Sequence, residues 1–194
     1  MLTIRSAFLL SLLLACGGKT VEGDDGGPPV GDASPPTADV VLPPTDGGAC
    51  NALEVSGAPV FITEIAADPP PFASNGTPPS TGLYQLTALT IYTGPNGSSG
   101  TSSSEQAVAR FSSAKNGFVI DSVSVTDQEA PTRESAMATF AASGELQFTP
   151  FCPQAGTPSS VFYSFDGKTL TFRLEASANT ANATIEEQLL LVGQ

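Results

Sequence analysis

Along residues 168–175, Leu170, Phe172 and Leu174 alternate with Thr169, Thr171, Arg173 and Glu175. A strict period of two with β-branched and aromatic residues predicts a strand that buries one face. Similar alternation predicts strands over residues 60–65, 83–93, 106–112, 118–126, 133–142, 145–149, 160–165 and 184–192. No stretch sustains a helical period over three turns. Asp166-Gly167 and Ser143-Gly144 join neighbouring strands as hairpins, the first predicted as a type I′ turn. Eight or nine strands without crossover helices predict an all-β antiparallel meander closing as one barrel, with a β-sandwich as the alternative. Two longer irregular segments interrupt it, the Pro-rich 68–81 and the Gly/Ser/Thr-rich 94–105.

The first residues carry a different pattern. Arg5 precedes an apolar run from Ala7 to Ala15, broken only by Ser11. That is a signal peptide, too short to remain as a membrane-spanning helix. Leu13-Leu14-Ala15-Cys16 resembles the lipobox of bacterial lipoproteins. The resemblance implies cleavage before Cys16, acylation of its sulfur and amino group, and permanent membrane attachment. With Gly17 rather than Asp after the cysteine, it implies the outer membrane, with the domain facing the periplasm or the cell exterior. Residues 17–49 hold eight Gly and six Pro, and six acids against the single Lys19. Such a segment buries too little apolar surface to offset its ordering entropy and reads as a disordered tether. The organisation is therefore a signal peptide (1–15), a lipidated cysteine with its tether (16–49) and one all-β domain (50–194). With Cys16 acylated, Cys50 and Cys152 are left as an even pair in an oxidising compartment, which predicts a disulfide.

Charge and composition remove several functions. The 194 residues carry a net charge of −12, with 7 Lys and Arg and no His. Without His there is no Ser-His-Asp or Cys-His catalysis and no His-ligated zinc or haem. So few basic side chains leave nothing to neutralise a phosphate backbone, so no nucleic-acid partner is expected. Neither a cofactor nor a metal is expected: Asp24-Asp25 lacks the spaced loop of a calcium site.

Gly82-Leu83-Tyr84-Gln85-Leu86 opens the first long strand with a pattern similar to the Gly-x-Trp start of the lipocalin and wider calycin barrels. Tyr84 stands where that family prefers Trp. The resemblance, over residues 82–193, implies a barrel with a ligand-holding interior. It also implies a basic residue packed across the aromatic ring, a place that Arg173 could fill against Tyr84.

Other chemistry is sparse. Ser112-Ser113-Ala114-Lys115 fits Ser-x-x-Lys, but the accompanying penicillin-binding motifs are missing, so an accidental match in a Ser-rich chain is expected. Glu186-Glu187 on one strand puts one carboxylate on each face, and Asp121 shares a face with Val119, Val123 and Val125. If buried, Asp121 would have only Arg110, Arg133 and Arg173 to neutralise it. The sequons at Asn75, Asn96 and Asn182 carry little information in a bacterial lipoprotein. Tyr84, Tyr92, Phe140, Phe148, Tyr163 and Phe172 either line a cavity for a small apolar ligand or fill the core. Two functional readings follow. The first is a non-catalytic, membrane-tethered barrel that binds a small apolar molecule. The second is an envelope module with a filled barrel whose loops 68–81 and 94–105 contact a protein partner. A third, an enzyme working with carboxylates alone, ranks behind both.

Overall fold

The computed structural model describes residues 50–140, 145–178 and 181–194, apart from the side chains of 140 and 176–182. The signal peptide, Cys16, the tether and the turn at Ser143-Gly144 lie outside the described residues.

Nine strands make up the domain: β1 (Val60–Ile65), β2 (Gly82–Tyr92), β3 (Gly100–Ala114), β4 (Gly117–Thr126), β5 (Thr132–Phe140), β6 (Glu145–Cys152), β7 (Ser159–Phe165), β8 (Thr169–Ala178) and β9 (Ala181–Gly193). There is no helix among the described residues. The strands form a single sheet rather than the two sheets of a sandwich. From β2 to β9 each strand pairs antiparallel with the next. β9 then pairs back onto β2, from Leu83↔Gly193 to Tyr92↔Thr184, so the sheet rings round.

β1 is the exception to the meander. It lies parallel to β2 (Ile62↔Leu89 to Ile65↔Tyr92) and antiparallel to β3 (Val60↔Glu105 to Glu64↔Gly100). β2 and β3 pair with each other only over Gly82–Gln85 and Val108–Phe111. Beyond that they part, and β1 fills the gap. This explains why β3 begins at Gly100 and not at the 106 expected from alternation. The Gly/Ser/Thr run offers no apolar side chains to signal a strand, but β1 supplies its backbone partners. The expected loop 94–105 is shorter for the same reason.

The upper end of the ring is where β2, β4 and β6 end and β3, β5 and β7 begin; Gly82, Gly117 and Gly193 mark the lower end. Because β1 and β2 are parallel, the chain must return the full height of the sheet between them. Residues 66–81 do this as a strap across the outer face. Arg173 holds it there, donating to the Pro70 carbonyl and lying 4.6 Å from the Phe72 ring centroid while pairing with Glu186. Lower down, the Asn75 amide donates to the Phe165 carbonyl (2.7 Å) and its side-chain oxygen accepts from the Phe165 N–H (3.2 Å).

The outer face of β3 and β4 is covered by the segment that follows Cys50. Leu53 and Val55 pack on Val108 and Val123, and the Asn51 side chain donates to the carbonyls of Ser122 and Glu134. Arg133 donates to the Leu53 carbonyl. Cys50 and Cys152 are bonded, with Cα atoms 5.5 Å apart, as the sequence leads one to expect. Cys50 is thereby fixed at the upper end.

One turn differs from expectation. Asp166 and Thr169 are bonded across it (Asp166 N to Thr169 O, 3.2 Å), so its central residues are Gly167 and Lys168. Only Gly167 takes a positive φ (+96°), which fits a II′ turn and not the I′ turn read from Asp166-Gly167. The Asp166 carboxylate instead accepts from the Lys168 and Thr169 N–H groups, which hold its pKa below the usual value.

Candidate functional site

Alternation decides which side chains enter the ring, and register places them. Tyr84, Leu86, Phe111, Phe118, Phe148, Tyr163, Phe165, Leu170 and Phe172 meet there in one buried cluster, against the small Ala107, Ala109, Ala136 and Ala138. The rings pack tilted or edge-on: Tyr84 on Phe111 at 4.9 Å and on Phe165 at 6.4 Å, and Phe148 on Phe172 at 5.8 Å. Such contacts stabilise a core beyond simple area burial. Tyr84 donates its hydroxyl to the Ser80 carbonyl (2.8 Å), and burial pushes its pKa up to about 12. Burial raises the pKa of Tyr163 as well.

The upper half of the interior is chemically different. On β3, Glu105 shares the inner face with Ala107, Ala109 and Phe111 and is 1% exposed. On β5, Glu134 shares it with Ala136 and Ala138 at 4%, and stands opposite Ser122, which is itself opposite Ala109. On β9, Glu187 is 1% exposed, opposite Leu89 on one side and Phe172 on the other. Ser122 and Ser124 complete the polar wall. A second apolar cluster of Ile62, Leu89, Ile91 and Ile185 lies at this end. The interior therefore has an aromatic lower half and an upper half in which carboxyl and hydroxyl groups interrupt apolar side chains.

Glu105 is the least compensated of these groups. Neither carboxylate oxygen has a hydrogen-bond partner in the protein. Burial without a counter-charge pushes its pKa up to about 7. The domain's basic side chains all lie elsewhere. Arg110, Lys115 and Lys168 are exposed, Arg133 is spent on the segment after Cys50, and Arg173 on the strap.

Comparison with protein-family models, curated proteins and solved structures finds no match.

Of the six aromatic residues singled out in the sequence, the structure brings four together inside the ring: Tyr84, Phe148, Tyr163 and Phe172. Phe140 ends β5, and its side chain lies outside the described residues. Tyr92 is set apart. A register shift between Leu86 and Ala88 reverses the alternation of β2, so Leu89 and Ile91 turn inward. The half-buried Tyr92 faces the strap side, 6.0 Å from Arg173. Arg173 does not cross Tyr84 as the lipocalin resemblance implied, because it occupies the outer face beside the inward Phe172. The two carboxylates of Glu186-Glu187 do divide between the faces, Glu186 outward on Arg173 and Glu187 inward. Asp121 is outward too and accepts from the Ser135 hydroxyl (2.6 Å) instead of an arginine. Ser112 and Lys115 fall on the end of β3 and a hairpin tip, not at a helix start. Among the described residues no three His, Cys, Asp or Glu side chains come close enough to hold a metal ion.

Glu105 and Glu134 were not singled out in the sequence, although a signal was there. Each lies two residues from a small or apolar side chain of the inner face, so strict parity points both inward.

Proposed function

We propose that the protein is a lipid-anchored envelope protein whose ring of strands is a lipocalin-like barrel that carries a small, largely apolar ligand without catalysis. The observation that carries this reading is the unequal interior, aromatic below and carboxyl-bearing above, with Glu105 buried and uncompensated. A barrel that only fills itself with side chains gains nothing from such a group. Burying a carboxyl without a partner costs several kcal/mol in an apolar setting, and binding sites are where such groups tend to occur. Apolar side chains interrupted by a few polar groups are the residue types that line small-ligand sites. The acylated Cys16 would hold the barrel at the outer membrane, and the Cys50–Cys152 bond brings the tether to the upper end. That end is where the polar wall lies, so the carrier would present its polar end toward the side from which the tether arrives.

The rival reading, a protein-binding module, relies on free loops. Residues 66–81 are strapped to β8 and β7, and half of 94–105 is strand. Both observations weigh against free recognition loops. Titration of the full-length protein with Nile red, a neutral apolar dye, tests the carrier reading. Saturable, blue-shifted emission at one dye per chain supports the carrier, and an unchanged spectrum at micromolar protein contradicts it.

A further inference from the structure

The ring is most weakly joined where β1 enters it. β2 and β3 pair only as far as Gln85↔Val108, and above that point they part around β1. β1 has six residues, and its ladder with β3 is interrupted by a register shift between Phe61 and Thr63. Its outward side chains gain little from the fold, since Phe61 is 67% exposed and Thr63 is exposed too. The residues that lead into it are held by solvent-exposed bonds, Gln85 donating to the Ser56 carbonyl (3.1 Å) and Gln106 to the Gly57 carbonyl (2.7 Å). A short, interrupted strand with few buried side chains is the kind of element that opens locally before the rest of a domain does.

Glu105 sits at this fork. It is the β3 residue opposite Val60, the first residue of β1, and its buried carboxylate has no hydrogen-bond partner for either oxygen. A carboxyl in that setting is held in its neutral form, because on ionising it would give up hydration without gaining a donor. The charged groups on the surrounding elements do not compensate it. Glu134 of β5 and Glu187 of β9 face inward, Glu64 of β1 accepts from the Ser98 hydroxyl, and Asp127 beyond β4 accepts from the Ser104 N–H. Arg110, Asp121 and Arg133 lie on the outer face, and Tyr92 faces the strap side. Burial is accordingly the cause of the raised pKa of Glu105.

We infer that β1 parts from β3 as Glu105 ionises, so that loss of one proton opens the ring at the fork between β2 and β3. Parting the two strands removes the wall on one side of Glu105 and admits water to its carboxylate. The closed ring therefore favours the protonated side chain and the open ring the ionised one, and the two equilibria are linked. Closure is strongest at low pH and weakens as the pH rises through about 7. Nothing in this opening requires a ligand, so its failure and the failure of the carrier reading are separate results.

Hydrogen exchange on the full-length protein between pH 5 and pH 8, with each rate corrected for the intrinsic rate at that pH, tests this. The amides of 60–65 and 100–105 should be about tenfold or more less protected than those of β6 and β7. Their protection should fall about fiftyfold from pH 5 to pH 8, the change expected for a carboxyl held at about 7 when closed and at its ordinary value when open. Glu105→Gln keeps the size of the neutral side chain and cannot ionise, so it should retain the low-pH protection throughout. Equal protection of β1 and of β6 and β7 in the native protein would show that β1 parts only when the whole domain unfolds, and overturns the inference. Protection of β1 that does not change with pH overturns it as well. Both results are read on the native protein and need no variant to fold. A fall in protection that persists in Glu105→Gln overturns the role given to Glu105.

Discussion

At the scale of single residues, Glu105 makes the stability of the interior depend on pH. Its pKa is raised from 4.5 to about 7 by burial, so the folded state holds the proton more tightly than the unfolded chain does. Stability from this group is therefore fully present below about pH 4.5 and is lost as the pH rises through about 7. Glu105→Gln removes the effect. The stability difference between native protein and variant should move by about 3 kcal/mol between pH 4 and pH 8, with the variant gaining at the higher pH. Urea unfolding of both proteins at the two pH values measures it, and a pH-independent difference would remove the claim that Glu105 is buried uncompensated. Whether such residues can be read from sequence depends on what flanks them. Glu187 was legible as one of a pair split between two faces, because Glu186-Glu187 sits in an unbroken apolar alternation. Glu105 was not, because the Ser-rich stretch before it hides the strand. Tyr92 was singled out with the aromatic residues of the interior but faces outward, since a register shift between Leu86 and Ala88 leaves no mark in the residue types.

At the scale of elements, the strands were legible wherever apolar residues alternate, and the missing parts share one cause. β1 was legible over 60–65, but the first third of β3 is held by backbone pairing with it rather than by apolar side chains of its own, and pairing between distant segments has no local signature. The strap is the second such element. Its Pro-rich composition reads as a loose loop, yet its position follows from the parallel β1–β2 pair and the return path which that pair demands. Arg173 is the clamp, 8% exposed and bonded to the Pro70 carbonyl and to Glu186. Arg173→Met should cost about 2–3 kcal/mol, since it removes charge-assisted hydrogen bonds and leaves Glu186 without its cation. Amide hydrogen exchange should speed up over residues 66–81 far more than in β4 or β5. Uniform exchange along the chain would show that the strap is held by something other than Arg173.

At the scale of the whole molecule, a ring of antiparallel strands covers its own edges, and the strap and the segment after Cys50 brace it from outside. The Cys50–Cys152 bond spans 102 residues of sequence. Chain-entropy estimates give about 4–5 kcal/mol for a loop of that length, with measured values often smaller. Replacing both cysteines with serine should lower the urea midpoint accordingly and free the segment that covers Val108 and Val123, detectable as faster exchange at Asn51 and Leu53. The proposed attachment to the membrane is a separate matter, resting on Cys16. Cys16→Ser should move the protein from washed membranes to the soluble fraction, and retention there would contradict the lipid anchor. The overall architecture was legible because alternation alone fixes an all-β chain. The inner chemistry was less so, because it depends on which strands come together across the ring.

The central claim is that the interior holds a ligand, and native mass spectrometry of the full-length protein, purified without denaturation from an envelope that processes it, tests this most directly. The account predicts an added mass of a few hundred daltons at most, consistent with a small ligand, that is lost on denaturation. A native mass equal to the denatured mass, unchanged after incubation with Nile red, would contradict it.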